Sequence, residues 1–167
     1  MTTQPDSQAV NDAPTAEDVR YEDDPQTMGI DEDTYLLQLQ PGLLNFCDDV
    51  ETAWSALTVE LVSGPSHATE FSFYANGAFY YEPEADFNGE DSFTYRSFDG
   101  ELYSEPATVT IVVFPVNDDP VAEDDEAVTQ VDTPVDIDVL ANDWDIDGDE
   151  LFISDITAYP ENGTVEI

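Results

Sequence analysis

The sequence predicts an all-β sandwich, written once in full and begun a second time. Three observations carry this expectation. First, Val10-Asn11-Asp12-Ala13-Pro14-Thr15-Ala16-Glu17-Asp18 recurs as Val116-Asn117-Asp118-Asp119-Pro120-Val121-Ala122-Glu123-Asp124, 106 residues later. That period is about the size of a single β-sandwich domain. Second, the best-defined segments alternate and are rich in aromatic and β-branched residues. Third, no window shows a helical period with caps.

The elements follow in order. Phe71 to Ala75 and Ala78 to Glu82 flank Asn76-Gly77, which predicts a hairpin with a type I′ turn. Ser92 to Phe98 and Ala107 to Phe114 predict two further strands. With Pro and Gly spaced at strand-like intervals, the first copy is expected to hold about seven strands. The second copy stays in register with the first. Asp48-Asp49-Val50-Glu51 through Leu57-Thr58-Val59 aligns with Asn142-Asp143-Trp144-Asp145 through Leu151-Phe152-Ile153, and Gly64 to Thr69 aligns with Tyr159 to Thr164 after a one-residue shift. Ile167 falls near Ser72 or Phe73 of the first copy. The expected organisation is a disordered leader at 1–9, a complete sandwich at 10–115 and a truncated second repeat at 116–167. Half a sandwich cannot bury its inner face, so the second copy is expected to be partly ordered, docked elsewhere, or completed by a strand from another chain, unless the sequence simply ends at an arbitrary point inside a domain, which is the simpler reading.

Composition narrows the function. Hydrophobic residues make up 41%, with nine Phe and eight Tyr, enough to build a core. Forty acidic residues face only Arg20 and Arg96, for a net charge of −38. Nucleic acid and anionic lipid are excluded as partners, since both need clustered Lys and Arg. Self-repulsion at this density calls for salt or bound metal. A saline habitat and specific calcium sites both meet that need. Cys47 is the only cysteine, so no intrachain disulfide forms. No apolar run is long enough to cross a bilayer. Met1 to Gln8 lacks the basic and apolar regions of a signal peptide.

Asp143-Trp144-Asp145-Ile146-Asp147-Gly148-Asp149 is the sharpest chemical motif. Carboxylates at every second position suit a hard cation once the backbone curls, and Gly148 permits the turn. It is not an EF-hand, because the twelfth position is Ser154 rather than Glu, and Leu151 to Ile156 reads as a strand. An acidic turn between strands is the alternative. The first copy keeps Asp49 and Glu51 but has Ala53, Trp54 and Ser55 at the other positions, so its site is expected to be lost. The junction Val116 to Pro120, with Glu123 to Asp125 beyond it, is a second candidate cation clamp or else a solvated acidic linker.

Catalytic readings find little material. His67, in Gly64-Pro65-Ser66-His67, reads as a turn residue. One His and one Cys far apart offer neither a zinc site nor a nucleophile pair. Carboxylate pairs abound, but nothing singles one out. No Gly-rich phosphate loop occurs. The cluster Phe71, Phe73, Tyr74, Phe79, Tyr80 and Tyr81 reads mainly as core, with a sugar-binding platform as the alternative. Trp54 and Trp144, in neighbouring aligned loop regions, are expected to pack at the sandwich end, with an exposed, ligand-binding Trp as the alternative.

Val116 to Ala122, Asp138-Val139-Leu140-Ala141-Asn142-Asp143 with Asp145 to Asp149, and Asp86-Phe87-Asn88-Gly89-Glu90-Asp91-Ser92-Phe93-Thr94-Tyr95 with Asp99-Gly100 occur in one order. Together they resemble the tandem cadherin-like or bacterial immunoglobulin-like repeats of large bacterial surface proteins. The resemblance implies an immunoglobulin/cadherin-like Greek-key sandwich, an extracellular or cell-surface location, and a non-enzymatic role in adhesion or biofilm. The expected function is a calcium-stabilised spacer or adhesion module; the alternative is a carbohydrate-binding accessory domain of a secreted hydrolase. Expected partners are adjacent repeats of the same chain, a cell-surface protein or polysaccharide, and a complementing strand. The acidic junction resembles the calcium-binding linker of cadherins, which adds Asn117 and Asp118 to Asp143, Asp145, Asp147 and Asp149 as Ca2+ ligands.

Overall fold

A computed structural model of the chain describes residues 10–22 and 29–167, and the expected leader at 1–9 lies outside them. The chain divides into two compact units, Met1–Val116 and Asn117–Ile167.

The first unit is a sandwich. Its strands are β1 Thr15–Ala16, β2 Val19–Tyr21, β3 Ile30–Asp31, β4 Leu36–Gln38, β5 Cys47–Asp48, β6 Thr58–Ser63, β7 Ala68–Phe73, β8 Phe79–Pro83, β9 Gly89–Phe98 and β10 Ala107–Phe114. Three of these, β1, β3 and β5, are only two residues long, which leaves the seven longer strands that the sequence led one to expect. One sheet runs β2-β10-β9-β6, with β3 also on β10; the second runs β4-β8-β7; β1 and β5 form a small pair. β2 and β3 lie parallel to β10, and the remaining ladders are antiparallel. The chain crosses from the first sheet to the second after β6 and returns after β8, so both sheets contribute to one core.

Alternation builds that core. β9 turns Asp91, Phe93, Tyr95 and Ser97 inward, β10 turns Ala107, Val109, Ile111 and Val113 inward, and β8 turns Phe79 and Tyr81 inward. Phe93 of the first sheet packs against Phe71, Phe73 and Phe79 of the second, at centroid distances of 5.0, 5.9 and 5.1 Å. Each such ring removed from water contributes about 1.5–3 kcal/mol.

The β7–β8 hairpin is where it was expected, but its turn differs. Tyr74 N–H donates to Ala78 C=O at 3.0 Å and Gly77 N–H to Tyr74 C=O at 3.0 Å, so the loop holds three residues, Ala75 to Gly77. Gly77 has φ +82, whereas among the described non-glycine residues positive φ occurs only at Asp33, Asp86 and Asp132. Asn76 therefore does not take the second left-handed position that a type I′ turn requires. Instead its Oδ1 accepts Ala78 N–H at 3.1 Å.

Buried polar groups staple the loops to this frame. Asp91, 4% exposed, accepts the N–H groups of Ser66 (2.9 Å), His67 (2.8 Å) and Ser92 (2.8 Å) and the Tyr81 hydroxyl (3.2 Å). Tyr95 donates its hydroxyl to Glu17 C=O at 2.8 Å. Glu32, 1% exposed, accepts Val116 N–H at 2.7 Å and Asn88 Nδ2–H at 3.3 Å, which fixes the last residue of the unit.

The second unit forms no continuous strand; Val121 and Trp144 make an isolated antiparallel bridge. Leu151 to Ile156, expected as a strand, is not one. Among the described residues no strand pairs with it, and Phe152 stays 79% exposed.

Candidate metal centre

The two acidic candidates of the second unit come together. Val121 N–H donates to Trp144 C=O at 2.8 Å and Trp144 N–H to Val121 C=O at 3.1 Å. This bridge lays the segment after the junction against the Asp143 to Asp149 loop. Two further bonds flank it. Glu123 N–H donates to Asp143 Oδ1 at 2.9 Å, and Asp118 N–H donates to Asp147 Oδ2 at 2.8 Å. Asp118 and Asp147 thereby bring carboxylate oxygens within 4.8 Å of each other. Asn117 turns its Nδ2–H onto Asp118 C=O at 2.9 Å, which leaves its Oδ1 as the remaining acceptor.

Within the loop, Asp145 is the organiser. Its Oδ1 accepts the N–H of Asp147 at 2.9 Å and of Asp149 at 3.3 Å, while its C=O accepts Gly148 N–H at 3.2 Å. Gly148 takes φ +77, the left-handed conformation for which the sequence singled it out. The curl that alternate carboxylates need is therefore present. Asp143, Asp145 and Asp118 are half-buried, and Asp147 and Asp149 are exposed. For Asp149 it is the backbone N–H that the loop uses.

An all-oxygen donor set with several carboxylates fits a hard divalent cation such as Ca2+. The electrostatics point the same way. Arg20 is engaged with Glu22 and Glu90, and Arg96 with Glu60, all in the first unit. Residues 117–167 contain no Lys, Arg or His, so within that stretch no side chain can neutralise the carboxylates.

In the first copy, Asp49 Oδ2 accepts Thr52 N–H at 2.6 Å, and a 3-10 turn at Trp54–Ala56 occupies the positions aligned with the acidic loop. His67 stacks on Phe87 at 4.3 Å and lies 3.5 Å from Glu84, as a turn residue. Burial pushes the Cys47 thiol up to about 11, which leaves it unreactive. In the aromatic cluster, Phe79 and Tyr81 are buried, and Phe71 and Phe73 pack on the core. Tyr80 stacks on the exposed Tyr35 at 5.4 Å, and Tyr74 is exposed. The two tryptophans depart from expectation: Trp54 is 58% and Trp144 49% exposed, so neither is packed away. Trp54 opens the 3-10 turn between β5 and β6, and Trp144 is half of the isolated bridge of the second unit.

Sequence reasoning missed the two buried carboxylates of the first unit, Glu32 and Asp91. A buried carboxylate has no local signature in so acidic a chain. It likewise treated the junction and the loop as separate candidates, because the bridge that joins them spans more than twenty residues.

Known proteins give this geometry a family. The bacterial cadherin-like domain matches residues 11–115, and the bacterial Ig domain matches residues 117–167. No curated protein matches the chain. Solved structures include an endo-fucoidan hydrolase from glycoside hydrolase family 107. A substituted form is 19% identical with a TM-score of 0.41, covering 72% of this chain and 17% of the hydrolase. A second form is 22% identical with a TM-score of 0.34, covering 66% and 15%. The chain thus spans less than a fifth of those hydrolases' length, and the likeness is too loose to carry function. Domains of these two families are typically non-catalytic and extracellular or surface-borne. Among the described residues no helix is long and apolar enough to cross a membrane. With the cadherin-like match covering more than half of its length, the chain belongs to the bacterial cadherin-like domain family, and the stretch that follows is similar to the bacterial Ig domain.

Proposed function

We propose that this chain is a non-enzymatic, calcium-stabilised extracellular repeat that acts as a spacer and adhesion module of a bacterial surface or secreted protein. The observation that carries the reading is the meeting of Asp118 and Asp147, beside the Val121–Trp144 bridge, in a stretch without a basic residue. Asp118 and Asp147 would hold Ca2+, with Asn117, Asp143 and Asp149 as further oxygen donors and Asp145 shaping the loop. The bound ion supplies the positive charge that this stretch lacks. The protein's own groups set the geometry, because backbone N–H bonds to Asp143, Asp145 and Asp147 fix the loop and the segment after the junction. The same folding would stiffen the link to the preceding repeat, as loss of linker freedom does in any tandem array.

The partners this reading implies are adjacent repeats and a cell-surface protein or polysaccharide. Val128, Phe152 and Tyr159, 96, 79 and 72% exposed, are apolar surface that a complementing strand would cover. Thermal unfolding of the whole chain in calcium and in EDTA tests the metal. Calcium is expected to raise the transition of the second unit, as a ligand bound only by the folded state does. Unchanged unfolding in EDTA would reject it.

A further inference from the structure

The first unit carries a cleft that the cation reading leaves unused. It opens where the 3-10 turn Gly42–Phe46 and its preceding Pro41 pack onto the β7–β8 loop. Two glycines allow that approach. A Cβ added at Gly42 would lie 2.0 Å from Gly77 O, and one added at Gly77 would lie 2.3 Å from Pro41 O. Leu43 N–H donates to Gly77 C=O at 3.0 Å and locks the two loops together. The cleft measures about 590 Å³, within the range of small-molecule sites.

Its chemistry is specific. Pro41 and Leu57 give apolar wall, the exposed indole of Trp54 gives a flat face, and Gln40, Asn76 and Ser55 give polar groups. The two amides orient each other: Asn76 Nδ2–H donates to Gln40 Oε1 at 3.2 Å, and Asn76 Oδ1 is held by Ala78 N–H at 3.1 Å. The Gln40 NH2 group is left as a donor for a ligand. No lining residue is charged, in a chain of net charge −38. A cation or basic peptide would find no carboxylate here, and an anionic ligand would meet the repulsive field of the whole molecule. An indole face flanked by amide and hydroxyl groups suits a neutral ring that is apolar on its C–H face and hydroxylated at its edge.

We infer that the cleft beside Trp54 binds a neutral hexopyranose unit of a glycan. The site lies wholly within the first unit and needs no metal, so its fate is separable from that of the cation reading. The test uses the full chain, labelled with 15N, and follows the indole resonances of its two tryptophans. Cellohexaose, mannohexaose, laminarihexaose and a sulfated galactan oligosaccharide are titrated in calcium and in EDTA. At least one neutral sugar is expected to move the Trp54 resonance saturably below about 10 mM, with and without calcium, leaving Trp144 in place. By calorimetry, Trp54→Ala should weaken binding about tenfold or more. Gln40→Ala should weaken it about three- to tenfold. Trp54→Ala should leave thermal unfolding unchanged, since the ring is exposed. No shift at Trp54 with any neutral sugar, undiminished binding by Trp54→Ala, or tighter binding of the sulfated sugar overturns the inference.

Discussion

Every fully buried apolar side chain among the described residues, from Val19 to Val113, belongs to the first unit; in the second, Val128, Phe152 and Tyr159 lie open. Yet the two begin with the same sequence and stay aligned for about fifty residues. The difference lies in the later strands. In the first unit the four largest fully buried side chains are supplied late: Phe79 and Tyr81 from β8, and Phe93 and Tyr95 from β9. The second unit corresponds to the earlier part of the first, before those strands. Its organisation comes instead from backbone N–H groups bonded to Asp143, Asp145 and Asp147. Hydrophobic burial holds one unit, and carboxylate geometry holds the other.

The largest effect that would test this contrast is loss of the aromatic hub. Phe93→Ala should cost the first unit about 3–5 kcal/mol in urea unfolding. The calcium response of the second unit should persist; its loss would mean that the two units are not held separately. Asp91→Ala comes next. It removes the buried carboxylate that accepts the Ser66 and His67 N–H groups and the Tyr81 hydroxyl, and should cost about 1–3 kcal/mol. A neutral result would show that water replaces the carboxylate.

Alkaline pH gives a third test. Burial raises the Tyr21 phenol from 10.0 to about 12 and the Cys47 thiol from 9.0 to about 11. It raises the Tyr81 and Tyr95 phenols as well. Each folded-state value lies above the unfolded one, so this stabilisation is complete below the unfolded values. It drains away as pH climbs toward the folded ones, roughly from pH 9 to 12. Tyr21→Phe removes one such group and should move the alkaline midpoint, read by near-UV circular dichroism, to higher pH. A midpoint unmoved or lowered would contradict the assignment. The smallest effect belongs to Arg96→Ala. Its pairing with Glu60 and its place 3.8 Å over the Tyr103 ring are half-exposed, so the loss should stay below about 1 kcal/mol.

Much of this fold was legible in the sequence. Alternation located β9 and β10, because one face of each strand meets the core along its whole length. Asn76-Gly77 located the hairpin; it did not reveal the turn type, because Asn76 spends its side chain on Ala78 N–H rather than entering a left-handed conformation. Leu151 to Ile156 has strand-like composition and forms no strand, since composition cannot provide a partner. At the candidate centre, the acidic loop and its glycine turn could be read locally. The pairing of Asp118 with Asp147 depends on the Val121–Trp144 bridge, a contact distant in sequence, and was not legible. The cleft beside Trp54 depends on close contact between two loops more than thirty residues apart, and the same reason hides it.

The central claim is that a specific cation, rather than ionic strength, completes the second unit. Trp144 lies between Asp143 and Asp145, so its fluorescence in a Trp54→Phe chain reports on the loop directly. The account predicts a saturable emission change on adding calcium, reversed by EDTA and abolished by Asp143→Asn with Asp147→Asn. Sodium chloride at equal ionic strength should not reproduce it. An emission unmoved by calcium, or moved equally by sodium chloride, would contradict the account.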